Sequence, residues 1–426
     1  MKLIVYSHDS FGLGNIRRML AICEYLIDNV PGMSVLILSG SPVLHSFRMH
    51  PGLDYIKLPC LGRDRVGKIS AKYLGTKVDE TVKLRSNLIK TAIADFKPDL
   101  FLVDKKPYGL SGELKPALDH IKVFLPQTKL VLLLRDILDA PQVTIKDWQN
   151  NSYYDAIESL YDKILVVGMP EIFDLIQEYK FPPSTAKKVD YCGYIRRKPG
   201  RKEVNLIRQE LAIQPEEKLV LVTPGGGGDG YRLVNNYLLG LAHLPTRHDL
   251  KSLIICGPEM PLAQRQELEQ LAQKHPYIQT MEFSDDLASY MEAADVIVSM
   301  GGYNTVCEIL SYGKRAVVVP RHQPVEEQLI RAEKMAEFGL FKTVHPEYLT
   351  PTTLIEAVLE ELNSENNHLS AVSHLNLNAL PSIEKKIYKL LSSKSPRRQV
   401  HAVRELEVLF EKHLAENVSQ ILFRSA

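Results

Sequence analysis

A run of four glycines in the second half of the chain has the composition of a phosphate-binding loop. The loop covers residues 223–230 and contains Gly225, Gly226, Gly227 and Gly228. Ordering so many glycines costs conformational entropy, which is typical of a backbone that approaches a bulky anion closely and points N–H groups at it. No Gly-Lys-Ser/Thr follows, so the loop is not a Walker A motif. We therefore predict a loop that cradles phosphate.

A second turn with two glycines precedes another helical pattern. It contains Gly301, Gly302, Asn304 and Thr305, and Glu308 follows one turn later. Thr305 and Glu308 have the three-residue spacing of a capping box, which would stabilise a helix start without any ligand. Alternatively, the glycines leave the helix N-terminus open to a phosphate, and Glu308 accepts hydrogen bonds from ribose hydroxyls. The sequence leaves both interpretations open.

A third turn lies near the start of the chain and contains Gly12, Gly14 and Asn15. It begins like the G-x-G-x-x-G fingerprint of dinucleotide-binding proteins, but Arg17 stands where the third glycine belongs. No acidic residue closes a second strand about 20 residues later, where that fingerprint has its ribose contact. The turn is therefore either a tight strand-to-helix connection or a helix start that favours a nearby anion.

Short apolar runs alternate with amphipathic helical patterns and predict the elements that position these turns. Apolar strands between helices are typical of parallel sheets covered on both faces. The chain is thus predicted to form two doubly wound, Rossmann-like α/β domains that face each other across a cleft, where the carboxyl ends of the strands bind ligands. The predicted strands are residues 2–6, 35–38, 100–103, 130–134 and 164–167, followed by 219–222, 253–256, 296–299 and 316–319.

The predicted boundaries follow from changes in composition. A first domain covers residues 1–195, and a linker rich in Gly, Pro and basic residues covers 196–204. The second domain is predicted to span 205–375. Residues 376–426 form a helical tail, in which 399–423 have the apolar spacing of a helix packed back on a domain.

The overall composition excludes several classes of protein. The 426 residues contain 52 Lys and Arg against 51 Asp and Glu, so no basic surplus indicates a nucleic-acid partner. No apolar run approaches the roughly 20 residues of a transmembrane helix. The five cysteines are scattered, with no C-x-x-C pair, which fits a reducing, cytoplasmic location and argues against a disulfide framework or a structural zinc site.

The second half resembles the nucleotide-sugar domain of two-domain glycosyltransferases of family 28. Residues 223–227 resemble that family's Gly-Gly-Ser loop, and residues 283–287 resemble its Phe-Ile-Asp-Asp-Met segment, which lies beside the nucleotide base. Residues 294–308 resemble its hallmark helix. Glu327 and Gln328 begin a Glu-Gln-x-x-Arg-Ala segment. It resembles the family's Gln-Gln-x-x-Asn-Ala segment, which contacts the sugar.

In the first half the likeness is looser, and Asn15 replaces the histidine of the family's Gly-x-Gly-His turn. The whole chain is similar to a bacterial branch of predicted glycosyltransferases with a Leu-Arg-Asp strand end, residues 134–136 here.

This resemblance implies a GT-B fold and transfer of a hexose or N-acetylhexosamine from a UDP-sugar to an acceptor hydroxyl, with inversion at the anomeric carbon. No Asp-x-Asp pair is present to hold a metal, so we expect glycine-loop amides and helix N-termini to meet the diphosphate charge without a cofactor. The implied nucleotide-sugar-binding residues are Gly14, Asn15, Gly225, Gly226, Gly227, Gly228, Phe283, Leu287, Gly301, Gly302, Asn304, Thr305, Glu308, Glu327 and Gln328.

The acceptor hydroxyl must also lose its proton, and the base should come from the first domain. The candidates are four residues at or just past predicted strand ends: His8, Asp9, Asp104 and Asp136. His8 is favoured among them because an unperturbed histidine titrates near neutrality.

Two other functions remain open at this point. A UDP-sugar epimerase or hydrolase would use a cluster such as Arg321, His322, Glu326 and Glu327 near the sugar, and a non-catalytic sugar-nucleotide-binding protein would need no base. The acceptor is not specified and could be lipid-linked, a glycan or a small molecule. Residues 63–90 carry eight basic side chains, which indicate either a solvated helix face or a basic face toward anionic lipid or an anionic acceptor. Contact with the inner face of the membrane would be peripheral at most.

Overall fold

The computed structural model describes residues 1–8, 14–63, 69–242, 244, 249–364 and 368–392. The first domain contains nine strands and seven helices in these residues. The strands are β1 (Lys2–Ser7), β2 (Ser34–Ser39), β3 (Leu53–Lys57), β4 (Leu61–Arg63), β5 (Ile69–Ala71), β6 (Leu100–Asp104), β7 (Lys129–Arg135), β8 (Lys163–Val167) and β9 (Val189–Tyr191). The helices are α1 (Gly14–Asn29), α2 (Val78–Phe96), α3 (Lys115–Phe124), α4 (Pro141–Asn150), α5 (Tyr153–Leu160), α6 (Leu175–Glu178) and α7 (Pro183–Ala186).

Seven of these strands form one parallel sheet in the order β3-β2-β1-β6-β7-β8-β9. The central strands are almost wholly apolar because helices cover both faces of the sheet. The strand order reverses between β1 and β6, and a crevice for ligands opens at such a switch point. The strands β4 and β5 form a separate antiparallel hairpin.

The second domain repeats this architecture. Its strands are β10 (Lys218–Thr223), β11 (Leu250–Ile255), β12 (Ile278–Met281), β13 (Val296–Ser299), β14 (Arg315–Val318) and β15 (Lys342–Thr343). Its helices are α8 (Val204–Glu210), α9 (Tyr231–Ala242), α10 (Leu262–Ala272), α11 (Leu287–Ala293), α12 (Tyr303–Ser311), α13 (Glu327–Glu337) and α14 (Pro351–Asn363). The parallel sheet has the order β12-β11-β10-β13-β14-β15, with its switch point between β10 and β13. The prediction of two doubly wound α/β domains is therefore confirmed.

After the second domain the chain returns to the first. Two helices follow, α15 (His368–Ser373) and α16 (Ala379–Ser392), and α16 packs against α1. The Tyr194 backbone N–H donates to the Asn376 carbonyl over 2.8 Å, at the point where the chain crosses back. The start of the predicted tail thus packs on the first domain, whereas the predicted helix 399–423 lies outside the described residues.

Candidate functional site

The sheets bring the candidate residues to two facing edges. The neighbouring strands β1, β6 and β7 end at Ser7, Asp104 and Arg135, so His8, Asp104 and Asp136 share the carboxyl edge of the first sheet. In the second sheet β10 and β13 are neighbours, which places the loop 223–230 beside the turn 300–302. A β-carbon added to Gly225 would lie 3.8 Å from Thr305 Oγ1, so the two predicted phosphate-binding turns are adjacent.

The four-glycine loop packs against a second loop, which contains Cys256 and Gly257. Gly225 and Gly227 have φ angles of 80° and 90°, a conformation that favours glycine. A β-carbon on Gly227 would lie 2.2 Å from the Cys256 carbonyl oxygen, and one on Gly257 would lie 2.4 Å from the Gly225 carbonyl oxygen. Several of these glycines are therefore required by loop-on-loop packing, which is a reason that the sequence interpretation did not include.

The capping box predicted from Thr305 and Glu308 is wrong. Helix α12 begins at Tyr303, three residues earlier than that motif requires, and its N-cap is Gly302, which offers no side-chain cap. A β-carbon at Gly302 would meet no atom within 4 Å, so the N-terminus of α12 opens on free space. Unpaired backbone N–H groups at such an end favour an anion.

Glu308 lies inside α12 and is 4% exposed. Its Oε1 accepts a hydrogen bond of 2.7 Å from the guanidinium of Arg17, which belongs to the first domain. Its Oε2 is buried and has no hydrogen-bond partner among the described residues. A carboxylate oxygen in this position can accept a hydrogen bond from a ligand hydroxyl.

Other buried polar atoms at the boundary between the domains also lack a hydrogen-bond partner within the described part of the chain. Such orphaned atoms are uncommon in folded proteins, and together they indicate a place where polar ligand atoms complete the bonding. They include Ser7 Oγ, His8 Nδ1, Arg18 Nε, Arg135 Nε and Tyr303 OH.

Two of the four candidate bases have carboxylates that are already engaged. Asp104 is buried and forms a 2.7 Å ion pair with Arg18. Asp136 is buried and receives two hydrogen bonds of 2.7 Å from Arg331. Because each carboxylate is paired with a fixed guanidinium, neither can accept a proton without giving up its ion pair. Asp9 lies outside the described residues.

His8 has the properties of a neutral histidine. It is 3% exposed, and its Nδ1 is one of the atoms without a partner. Burial lowers the pKa of His8 well below its ordinary value, and the neighbouring cations Lys105, Lys106 and Arg135 lower it further. The imidazole is therefore uncharged at neutral pH and has a ring nitrogen free to accept a proton.

Gly14 and Asn15 brace the first turn. The Asn304 side-chain amide donates to the Gly14 carbonyl over 2.9 Å, across the domain boundary. The Asn15 amide donates to the His8 carbonyl over 2.5 Å, and its oxygen accepts from Arg18 over 3.3 Å. Asn15, which replaces the family's histidine, thus holds the chain around His8 in place.

The predicted sugar contacts lie at the start of α13 and are buried. Arg135 Nη2 and Glu327 Oε2 form an ion pair of 2.7 Å between the domains, and the Gln328 side-chain oxygen accepts from the Arg321 backbone N–H over 3.2 Å. Burial raises the pKa of Glu327, but the nearby cations Arg135, Arg331 and Lys105 outweigh it and leave that pKa below its ordinary value. The carboxylate is therefore ionised.

Phe283 and Leu287 lie on a segment that is tied to the linker. Arg201 of the linker pairs with Asp285 over 2.7 Å, and its backbone N–H donates to Asp286. Phe283 is 53% exposed, and Leu287 is partly buried at the start of α11. Among the described residues, no hydrogen bond, ion pair or ring contact joins either side chain to the glycine turns.

Sequence reasoning missed the role of Arg331. This arginine, fully buried on α13, binds Asp136 and also donates to the Gly301 carbonyl over 2.8 Å, so it joins the first domain to the second glycine turn. The sequence does contain a pattern of opposite charges that could have indicated this role. Arg135 and Asp136 stand at the end of β7, and α13 carries Glu327 and Arg331, which are their ion-pair partners. Among the described residues, no group of three His, Cys, Asp or Glu could hold a metal ion.

Comparison with known proteins identifies a domain family that matches part of this chain. Residues 219–387 match the model of the glycosyltransferase family 28 C-terminal domain. The UDP-N-acetylglucosamine–N-acetylmuramyl-(pentapeptide) pyrophosphoryl-undecaprenol N-acetylglucosamine transferase of Clostridioides difficile (strain 630) is 24% identical over 220 residues, which are 50% of this chain and 52% of that protein. An uncharacterized glycosyltransferase of Methanosarcina mazei is 24% identical over 337 residues, 77% of this chain and 80% of that protein.

The fold has solved counterparts as well. The crystal structure of Acinetobacter baumannii MurG has 17% sequence identity and a TM-score of 0.58, covering 91% of this chain and 99% of that one. In sequence, the chain spans about half the length of its Clostridioides difficile relative. Residues 219–387 thus match the family 28 C-terminal domain, and the chain has the GT-B fold, as its sequence segments predicted.

Proposed function

We propose that the protein transfers a hexose or N-acetylhexosamine from a UDP-sugar to an acceptor hydroxyl, with inversion at the anomeric carbon. One observation carries the proposal: the N-terminus of α12 opens on free space at Gly302, beside the four-glycine loop and ahead of the unpartnered Oε2 of Glu308. The N–H groups of both turns would bind the diphosphate, and Glu308 would accept from the ribose.

In the proposed reaction the acceptor oxygen attacks the anomeric carbon while the bond from that carbon to the diphosphate oxygen breaks. The acceptor proton passes to His8, whose neutral ring can accept it. The negative charge that develops on the departing diphosphate is stabilised by the fixed backbone dipoles of the two turns. Attack from the face opposite the leaving group inverts the anomeric configuration.

Gly302→Val should weaken UDP binding at least about tenfold, because a side chain there fills the space in front of the helix N-terminus and displaces charge-assisted hydrogen bonds worth about 1.5–3 kcal/mol. The backbone at Gly302, with φ −65° and ψ 139°, accepts valine without strain. Gly75→Val is the matched control, because Gly75 also has free space around its β-carbon position but lies in the first domain. Isothermal titration with UDP measures both variants.

The same titration tests Glu308 separately. Glu308→Gln keeps the size of the side chain but removes the charge, so we expect weaker UDP binding without loss of folding. If Gly302→Val and Glu308→Gln both bind UDP like the unmodified protein, the nucleotide site proposed here does not exist.

We also propose that transfer needs no metal cofactor, since the two turns supply the positive dipoles that a metal would otherwise provide. Transfer should therefore proceed in excess EDTA, although a divalent ion could still speed product release. Complete loss of activity in EDTA, restored by Mn²⁺ or Mg²⁺, would refute metal independence.

The acceptor is proposed to be reached at an anionic membrane surface. The Clostridioides difficile relative acts, by its name, on an undecaprenol-linked acceptor. No helix in the described part of this chain is long and apolar enough to cross a membrane. However, an exposed surface next to the β4–β5 hairpin combines apolar and basic side chains, as interfacial contacts require. It consists of Tyr73, Leu74, Leu84 and Leu88 with Lys72, Lys77 and Lys83.

Not all of the basic residues predicted for this surface belong to it. Arg85 is buried in an ion pair with Glu113, so it does not face solvent. Co-sedimentation with phosphatidylglycerol vesicles should be reduced by Leu84→Glu with Leu88→Glu. Leu262→Glu changes an apolar position on α10 that is more exposed than Leu84 and Leu88, and it should leave sedimentation unchanged. Equal sedimentation of all variants would exclude this surface as the membrane contact.

A further inference from the structure

Lys105 stands out at the carboxyl edge of the first sheet because its backbone is left-handed. It follows the last residue of β6 and has a φ of 71°, which is unfavourable for a side chain other than glycine. The conformation is held in place because the Lys105 backbone N–H donates to the Leu133 carbonyl of the neighbouring strand over 2.9 Å. Strained residues that persist at the edge of a ligand cleft are frequently functional.

The charges around Lys105 are paired, with Lys105 as the exception. Within the described residues, three neighbouring cations have carboxylate partners: Arg18 with Asp104 at 2.7 Å, Lys106 with Asp147 at 3.1 Å and Arg135 with Glu327 at 2.7 Å. Lys105 forms no hydrogen bond or ion pair through its ammonium with any described residue. The edge therefore carries one surplus positive charge, that of Lys105, which is partly accessible to solvent.

The position of Lys105 is next to the proposed base. Because β1, β6 and β7 are neighbours, Lys105 lies between His8 and Arg135 along the edge, where adjacent strands are about 4.8 Å apart. Burial and the nearby Arg135 lower the pKa of Lys105 to about 8, although the carboxylates of Glu327 and Asp104 act in the opposite direction, so the ammonium is still mostly protonated at neutral pH. Both carboxylates are already paired with arginines, Glu327 with Arg135 and Asp104 with Arg18. The donor diphosphate is assigned to the facing domain, so it is not the group that this lysine meets.

We propose that Lys105 binds an anionic group of the acceptor, a phosphate or a carboxylate, and so holds the reacting hydroxyl beside His8. This assignment rests on the proposed transferase function, and it defines the acceptor class as an anionic one. Lys105 is then a positioning and specificity residue, because it touches the acceptor away from the atoms that react.

The experiment uses the full chain saturated with UDP and measures binding of inorganic phosphate, and separately of glucuronate, by isothermal titration. Lys105→Gly removes the ammonium and at the same time relieves the left-handed backbone, so loss of binding cannot be attributed to unfolding. Lys97→Gly is the matched control, because Lys97 also has a positive φ, 50°, but ends α2 on the opposite side of the sheet from the carboxyl edge. Melting temperatures of both variants should equal or exceed that of the unmodified protein.

We expect the UDP-saturated protein to bind one of the two anions, Lys105→Gly to bind it at least tenfold more weakly, and Lys97→Gly to bind it normally. The anion that binds distinguishes a phosphorylated acceptor from a carboxylated one. Unchanged anion binding by Lys105→Gly, no anion binding to the UDP-saturated protein, or weakened UDP binding in Lys105→Gly would each overturn the assignment. Failure of the unmodified protein to bind UDP would instead count against the proposed function itself.

Discussion

His8→Gln should lower kcat for glycosyl transfer by about 10²–10⁴-fold, the usual contribution of a general base, and leave UDP affinity unchanged. The reason is that His8 Nδ1 is buried without a hydrogen-bond partner in the described structure, whereas the carboxylates of Asp104 and Asp136 are held by guanidinium groups. The measurement is the rate of UDP release at saturating donor and acceptor. Asp104→Asn offers a comparison, because any decrease in its kcat should be accompanied by a loss of folding stability.

The pH dependence of kcat/KM provides an independent check on the same residue. Burial and the neighbouring cations lower the pKa of His8 below the ordinary value of about 6.5, so the base form persists as the pH falls through that value. The acid limb of the profile should therefore lie below about pH 6.5 and disappear in His8→Gln. Full activity of His8→Gln would place the base elsewhere, with Asp9 the remaining candidate.

The second large effect concerns the buried ion pair between the domains. Arg331→Leu should lower the free energy of unfolding by about 3–5 kcal/mol, because it leaves the Asp136 carboxylate buried without its partner. Arg331 and Asp136 are 0% and 1% exposed, so water cannot replace the lost bonds. Urea denaturation measures the change. The loss should be smaller in the double variant Asp136→Leu, Arg331→Leu, which buries no charge.

A surface ion pair provides the matched control. Lys202 and Glu210 are 2.8 Å apart but about two-fifths exposed, so Lys202→Ala should leave the free energy of unfolding almost unchanged. If Arg331→Leu is no more destabilising than Lys202→Ala, the pair with Asp136 does not hold the domains together.

The sequence was sufficient to predict the two sheets because their central strands are fully buried. A short continuous apolar run such as residues 130–134 is typical of a strand that is buried on both faces of a parallel sheet. The strands that were not predicted lie at sheet edges. The strand β3, for example, has only one buried residue, Leu53. It is an edge strand with a neighbouring strand on one side only, so its sequence lacks the continuous apolar run of a central strand.

The glycine turns were predicted from composition, but their detailed geometry depends on contacts between distant segments. The capping box does not form because the N-cap of α12 is Gly302, three residues before Thr305. The packing of the four-glycine loop on Gly257 could not be predicted, because nothing in either segment specifies the other. Likewise, Asp104 and Asp136 were plausible bases until the fold placed arginines against them.

The most direct test of the central claim is product analysis with a UDP-hexose and a UDP-N-acetylhexosamine, each incubated with and without a cell extract that contains acceptors. We predict that UDP is released only when acceptor is present and that NMR shows a new glycoside with the anomeric configuration opposite to that of the donor. Free sugar formed without acceptor, an epimerised UDP-sugar, or binding of the donor with no turnover at all would contradict the assignment as an inverting glycosyltransferase.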